Sequence, residues 1–338
     1  MEKTNREWVL ASRPDGEPTT DDFELREGEV PDPEAGEVLV RTLVLSVDPY
    51  MRGRMRDRNS YAESWNVGEL MRAGAVGEVV ASAHPEYEPG EIVVGPFRWA
   101  EYATAPGHEL SPVDPDLAPI STALGVLGMP GRTAYFGTLD VAEPKPGDTM
   151  VVSAAAGAVG SVVGQIGKLC GARVVGIAGS DRKCDWLTED CGLDAAVNYR
   201  ETEDLYIAIA EACPDGVDVY FDNVGGEITD AVFHQLNERA RVAVCGQIAL
   251  YNEEGPSTGP RKLWKLIETR ARVEGFLIFD YEGRYEEANE RLASWISDGE
   301  ITYEETVSEG IESAPEAFIG LFEGENVGKQ VVRVAERR

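Results

Sequence analysis

The sequence predicts an α/β protein of two parts, a β-rich part and a doubly wound parallel sheet. Three observations predict it. Up to about residue 127, short β-branched runs are separated by Pro/Gly turns. From Glu143-Pro144-Lys145-Pro146-Gly147-Asp148 onward, strand and helix signals alternate. The first strand of that second part runs into a glycine-bearing turn that opens a helix. Alternation of this kind implies βαβ units.

In the first part, Val38–Leu45 is a β-rich run, and Ala75–Val80 and Glu91–Val94 are short strands around the Pro89-Gly90 turn. In the second part the pattern predicts strands at 149–153, 173–177, 195–198, 217–221 and 241–245. Helices fall between them at 159–170, 203–212 and 227–236. Val159, Val162, Val163, Ile166, Leu169 and Cys170 recur at helical spacing and mark one buried face. Lys329–Val334 alternates again and reads as a closing strand. No repeat or low-complexity tract is present.

The chain has 338 residues, and 31 Lys and Arg stand against 61 Asp and Glu, a formal net charge of −30. Length suggests two domains. The charge excludes a generic nucleic-acid binder, which phosphates would repel. It also disfavours docking on an anionic membrane. The acids are dispersed, and only seven of the basic residues are Lys. Such a surface fits a salt-adapted, halophilic protein, whose self-repulsion is screened by counterions. Met1–Glu7 shows no leader pattern. The uncharged stretch Thr149–Gly167 is rich in Gly and Ser, and reads as a loop and helix rather than a membrane span. Five Cys (170, 184, 191, 213, 245) form no short pair, which fits a reducing, cytoplasmic setting without disulfides.

The segment Ser153-Ala154-Ala155-Ala156-Gly157-Ala158-Val159-Gly160-Ser161 carries the strongest motif, Ala-x-Gly-x-x-Gly. Gly157 lets backbone approach a pyrophosphate and Gly160 lets helix and sheet pack closely. The helix N-terminus offers N–H groups and a positive dipole, so Ala156, Gly157, Ala158 and Val159 are candidate dinucleotide contacts. An NAD site needs an acid about 20 residues past the loop. Here the second strand ends in Ala178-Gly179-Ser180 without one. Lys183, with Ser180 and Tyr199, fits a 2′-phosphate and therefore NADP(H). The competing reading makes Arg182 and Lys183 solvated helix-start residues. No His or Cys spacing suggests zinc: His84, His108 and His234 are isolated, so no metal is expected. Arg52, Arg54, Arg56 and Arg58 could steer an anion, but a solvated loop is the preferred reading.

Several segments, taken together, resemble the zinc-independent medium-chain dehydrogenase/reductases. Within them the chain is similar to the prostaglandin reductase / leukotriene hydroxydehydrogenase group, the NADP-dependent alkenal/one oxidoreductases. The segments are 46–53 (SVDPYMRG), 128–136 (GMPGRTAYF), the loop through Gly164-Gln165, 175–180 (VGIAGS), 220–226 (YFDNVGG), 245–252 (CGQIALYN) and 326–329 (NVGK). The resemblance implies a GroES-like catalytic domain (1–127 and 303–338) with a Rossmann domain (128–302) inserted, and the nicotinamide in the cleft. It implies that Gly179, Ser180, Lys183 and Tyr199 hold the 2′-phosphate end. Asn223, Cys245, Tyr251 and Asn326 would lie along the coenzyme, Phe276 and Ile278 at the carboxamide, and Tyr50 in the substrate pocket. A homodimer through the sheet edge near Phe276–Phe279 is implied too.

The chemistry implied is 1,4-reduction of an α,β-unsaturated ketone or aldehyde, a CH–CH oxidoreductase. The substrate class includes 2-alkenals, 2-alkenones and 15-oxoprostaglandin-type enones. Hydride reaches the β-carbon while charge develops on the carbonyl oxygen. Tyr251, or a ribose hydroxyl that it orients, would stabilise that oxygen. The competing reading makes Tyr251 and Tyr50 packing tyrosines. Rival functions on the same scaffold are an NADPH quinone reductase, a zinc-free secondary-alcohol dehydrogenase, or an NADP-binding protein that turns nothing over.

Overall fold

The computed structural model describes residues 4–58 and 60–337. Met1–Lys3, part of the stretch inspected for a leader, lie outside the described residues, as do Asn59 and Arg338. The chain divides into two compact units. One holds the residues up to 124, Glu305–Asn326 and those from 330 on; the other holds Gly125–Glu304 and Val327–Lys329.

The first unit opens with β1 (Thr4–Leu10) and β2 (Phe23–Glu29), an antiparallel hairpin. β3 (Glu37–Ser46), one helical turn α1 (Met51–Arg54), β4 (Arg72–Ser82), β5 (Ile92–Arg98), β6 (Tyr102–Pro106) and β7 (Ser111–Pro112) follow. The second unit carries α2 (Met129–Phe136), β8 (Thr149–Val152), α3 (Gly160–Leu169), β9 (Arg173–Ala178), α4 (Asp181–Glu189) and β10 (Ala195–Asn198). It continues with α5 (Leu205–Ala212), β11 (Val217–Asp222), α6 (Gly226–His234), β12 (Leu236–Val244), α7 (Leu263–Thr269), β13 (Arg272–Gly275) and α8 (Tyr285–Ser297). The chain returns with β14 (Glu305–Glu309), α9 (Ala314–Glu323) and β15 (Lys329–Arg333).

β3 explains its own sequence. It pairs with β4, β6 and β15, and it is buried on both faces. A strand covered on both sides reads as a continuous apolar run, which is what Val38–Leu45 shows. Trp65, Phe97, Trp99 and Phe318 fill the core beside this sheet. The sheet order is β14-β15-β3-β4-β5-β7, with β6 also on β3.

In the second unit the order is β10-β9-β8-β11-β12-β13, parallel at every pairing. This is the doubly wound arrangement, in which strand order reverses between β8 and β11. Ligands of such sheets bind beyond the carboxyl ends of the strands at that switch point. The residues leaving those two strands are Ser153 and Asn223.

Two departures from the sequence pattern have local causes. The strand expected from 241 begins at Leu236. The register shifts between Val217 and Val219, and Arg239 has φ of +66°. The resulting bulge places charged residues inside a strand, where alternation no longer marks it. The helix expected from Val159 starts at Gly160 and ends at Leu169. Among the described residues no helix is long and apolar enough to cross a membrane.

Candidate functional site

The loop after β8 is built by glycine at the position that requires it. A Cβ on Gly160 would lie 2.3 Å from the Ala154 carbonyl oxygen, inside any allowed contact. On Gly157 the same distance is 3.2 Å, tight but less severe. Ala154 takes a left-handed conformation with φ of +46°, and the Gly157 N–H donates to its carbonyl at 3.0 Å. The chain thus turns sharply into α3, where the Ser161 N–H already donates to the Gly157 carbonyl at 3.1 Å and the Val163 N–H to the Val159 carbonyl at 3.0 Å. The positive end of the α3 dipole, opening directly from this tight turn, suits an anion. The fingerprint's first glycine is Ala155, fully buried and bonded through its N–H to the Ile177 carbonyl at 3.0 Å. The Gly328 N–H donates to the Ala156 carbonyl at 2.8 Å, so the short segment Val327–Lys329 braces the loop. Asn326 directly precedes that segment in the chain.

A buried carboxylate fixes the two switch-point loops to each other. Asp222, at the end of β11, is 1% exposed. Its Oδ1 accepts from Ser153 Oγ at 3.1 Å, Tyr220 OH at 2.8 Å, and the Val224 and Gly225 N–H groups at 2.9 Å each. Its Oδ2 accepts from Thr229 Oγ1 at 2.7 Å. Asn223 then closes the link, donating its N–H to Ser153 Oγ at 2.9 Å and its Nδ2 to the Ser153 carbonyl at 2.8 Å. The side-chain amide of Asn223 is therefore engaged in holding the loop. Asp222 and Ser153 were not singled out from the sequence. The clue available was a carboxylate directly after the apolar run Val219-Tyr220-Phe221, where only a well-bonded acid is tolerated.

Asn223, Cys245 and Tyr251 come together at the next loop. The Cys245 and Gly246 N–H groups donate to the Asp222 carbonyl at 2.8 and 3.1 Å, and the Ile248 N–H donates to the Asn223 carbonyl at 3.3 Å. The Tyr251 hydroxyl accepts the Gln247 N–H at 3.4 Å. A Cβ on Gly246 would sit 3.1 Å from that hydroxyl. Tyr251 is half-buried with its O–H turned back over the strand end rather than lost in the core. The Cys245 thiol is pushed up to about 12 by burial, reinforced by the Asp222 charge, and so stays protonated and unreactive.

The tips of β9 and β10 form a basic corner. Ser180 caps α4, accepting the Lys183 N–H. Tyr199 and Arg200 sit over Gly179, where a Cβ would meet the Tyr199 ring at 3.1 Å and Arg200 Nε at 3.3 Å. Burial, and then the charges of Arg200 and Arg182, pull the Lys183 ammonium below the usual lysine range. Like charges this close favour a bound anion. Asp181, at the start of α4, accepts Asn198 Nδ2 at 2.8 Å. Both ends of the corner therefore fit a phosphorylated dinucleotide. Arg200, which directly follows Tyr199 at this corner, was not singled out from the sequence.

Phe276 and Ile278 face inward. The Phe276 ring lies 2.4 Å from where a Gly137 Cβ would be, and edge-on to Phe221 at 6.2 Å. Ile278 is buried and its carbonyl accepts Tyr285 OH at 3.0 Å. In the first unit, Tyr50 precedes α1, near Asp48, Arg54 and Tyr61. Burial first, then the Asp48 charge, hold its phenol well above the usual range, so it is a neutral O–H donor.

Two arginines of the stretch, Arg52 and Arg54, have defined partners. Arg52 is neither steering nor solvated: it is 1% exposed and donates to the Pro14 and Gly16 carbonyls at 3.3 and 2.6 Å. Burial, with Arg56 nearby, lowers its guanidinium to about 10. Arg54 lies over the Trp65 ring at 5.2 Å and donates to the Glu63 carbonyl at 3.0 Å. Among the described residues, no group of three His, Cys, Asp or Glu side chains could hold a metal ion. His84 packs on Tyr87 at 5.4 Å and His234 on Tyr206 at 5.7 Å, both as ring contacts.

Comparison with known proteins agrees with this geometry. Residues 6–113 match the family described as the N-terminal domain of oxidoreductase, and residues 158–294 the family described as zinc-binding dehydrogenase. The chain is 46% identical to the NADPH-dependent curcumin reductase of Escherichia coli, over 99% of this chain and 98% of that one. It is 44% identical to prostaglandin reductase 1 of Bos taurus (97% and 98%) and 43% identical to the NADP(+)-dependent 2-alkenal reductase of Nicotiana tabacum (99% and 98%). The crystal structure of CurA from Vibrio vulnificus in complex with NADPH superposes with a TM-score of 0.94 at 46% identity, covering 98% of this chain and 99% of that chain.

Proposed function

Because the chain belongs to the medium-chain dehydrogenase/reductase superfamily, with NADP-dependent prostaglandin and alkenal reductases as its relatives, we propose that it reduces the C=C bond of α,β-unsaturated ketones and aldehydes with NADPH. The observation that carries this reading is the likeness to those reductases along nearly the entire chain.

NADPH, when bound, supplies the hydride that the β-carbon of the enone receives. The remaining work belongs to this chain's residues. The amides around Gly157 and the start of α3 hold the pyrophosphate. Lys183, Ser180 and Tyr199 hold the 2′-phosphate, with Gly179 leaving room for it. Asn223 and Asp222 keep the loops after β8 and β11 in register. The Tyr251 hydroxyl, or the ribose hydroxyl it orients, donates to the carbonyl oxygen as enolate charge develops. Tyr50, neutral at all working pH values, lines the substrate end, and Asn326 lies by the nicotinamide. Ile278 has its side chain in the core, so a contact it makes with the carboxamide uses its backbone, whereas Phe276 packs partly buried against that core.

We further propose a homodimer. On α7 Leu263, Trp264 and Ile267 are 74%, 59% and 81% exposed, beside the exposed edge strand β13. An open edge with apolar neighbours is a pairing site that natural proteins cover. Five free thiols fit a reducing compartment, and we place the enzyme in the cytoplasm.

The test is NADPH oxidation at high salt with an alkenone, the corresponding saturated ketone, a quinone and a secondary alcohol with NADP+, and NADH as control. Turnover confined to the alkenone with NADPH is the expected result. Preference for the quinone or the alcohol moves the chain to a rival activity. Binding without any turnover makes it a coenzyme-binding protein.

A further inference from the structure

The corner beyond β9 and β10 contains a residue that no motif assigns. Arg200 is held from two sides. Its backbone N–H donates to Asn198 Oδ1 at 3.2 Å, and its Nε donates to Tyr199 OH at 3.3 Å. Its guanidinium lies 5.7 Å from the centre of the Tyr199 ring. The same Asn198 uses its Nδ2 to hold Asp181 Oδ1 at 2.8 Å. One side chain thus draws the local carboxylate aside and aims the arginine. The space both tyrosine and arginine border is the one that a Gly179 Cβ would partly fill.

In a chain with net charge −30, three bases (Arg182, Lys183, Arg200) gathered at one corner are a concentration of positive charge against the trend. Lys183 registers the field of both arginines. A guanidinium is also better suited than an ammonium to a bidentate grip on phosphate oxygens.

We propose that Arg200 is a specificity-determining residue for the coenzyme: stationed over Gly179 by Asn198 and Tyr199, it supplies a second cation, beside Lys183, for a phosphate on the adenosine ribose. This rests on the NADPH reading above and deepens it. The phosphate-free coenzyme leaves Arg200 facing solvent, so removing it changes discrimination rather than dinucleotide binding in general.

The experiment measures dissociation constants for NADPH, NADH and 2′,5′-ADP with the full chain, by tryptophan quenching and calorimetry at fixed salt. Arg200→Ala weakens NADPH and 2′,5′-ADP by about 10- to 100-fold, the range of a charge-assisted contact, and leaves NADH within about twofold. Arg200→Lys recovers part of the loss, and Asn198→Ala lowers the NADPH-to-NADH preference by weakening the aim of Arg200 and releasing Asp181. Equal weakening of NADPH and NADH in Arg200→Ala would show a merely structural role and overturn the proposal. Unchanged NADPH affinity overturns it too. A wild-type chain that binds NADH as tightly as NADPH overturns both this inference and the coenzyme reading beneath it. Wild-type preference that survives in Arg200→Ala overturns this inference alone.

Discussion

The Ala155 methyl occupies the space that Gly176 leaves: a Cβ on Gly176 would lie 2.9 Å from the Ala155 Cβ. Ala155 lies in the turn after β8 and Gly176 on the neighbouring strand β9, at the base of the phosphate loop. The departure from the usual first glycine is thus accommodated by a glycine on the neighbouring strand. Leu187 and Leu193 close the same space at 2.9 and 3.0 Å.

Gly176→Ala therefore overpacks a closed site and costs about 1–3 kcal/mol. Ala155→Gly in the same chain recovers part of it. A double-mutant cycle on urea midpoints checks this; additive effects would mean the two positions do not share one space.

Asp222→Ala leaves five donors facing a void. The expected loss is at least about 3 kcal/mol, because several buried donors lose their acceptor together. NADPH affinity falls as the loops after β8 and β11 lose their tie. Thermal unfolding and coenzyme titration measure the two effects. A variant with normal stability would mean that the network does not hold the switch point.

Tyr251→Phe keeps the ring and removes the hydroxyl. Turnover falls by about 100-fold or more, the scale of losing a donor to a developing oxyanion, while NADPH affinity changes little. Steady-state kinetics beside coenzyme titration separates the two. Unchanged kcat would remove Tyr251 from the chemistry.

Asp194 gives a pH dependence with a definite sign. Burial pushes its carboxyl up, but hydrogen bonds from Lys168 Nζ and the Val174 N–H outweigh this and hold it below the usual range. A depressed folded value means the stabilisation is fully present above the ordinary carboxylate value. It is lost as pH falls through the folded one. Urea midpoints between pH 6 and pH 3 should drop more in the wild type than in Asp194→Asn. Parallel curves would contradict the assignment.

The net charge of −30 predicts salt-dependent stability. The unfolding midpoint should rise steadily from about 0.1 M KCl into the molar range, as the screening length contracts from about 10 Å to about 3 Å. A flat profile would show that the acidic surface carries no such adaptation.

Much of the candidate site was legible in residue types. Gly157, Gly160, Lys183 and Tyr199 stand out because phosphate binding imposes steric and charge requirements that few residues meet. The β8–α3–β9 unit was equally plain, since buried parallel strands are continuously apolar. Ser153 and Asp222 were not legible, because each acts through a partner distant in sequence: Asp222 meets Ser153 across 69 positions. Arg200 has neighbouring partners, Asn198 and Tyr199, but only the fold brings it over Gly179 at the end of another strand. The arginine stretch misled for a related reason. Alternating charge on a short loop looks solvated, yet Arg52 is buried against the Pro14 and Gly16 carbonyls.

By itself, the sequence determined which segments become strands and helices, where backbone must approach closely, and which sign of charge the coenzyme end presents. These follow from local sterics, periodicity and composition, which need no knowledge of neighbours. The tertiary structure alone decided which acid is tied down, which arginine is aimed, and why Ala155 can stand where a glycine is usual. Those outcomes depend on pairing β8 with β9 and β11 and β9 with β10, and strand pairing is fixed only when the whole sheet buries its faces at once.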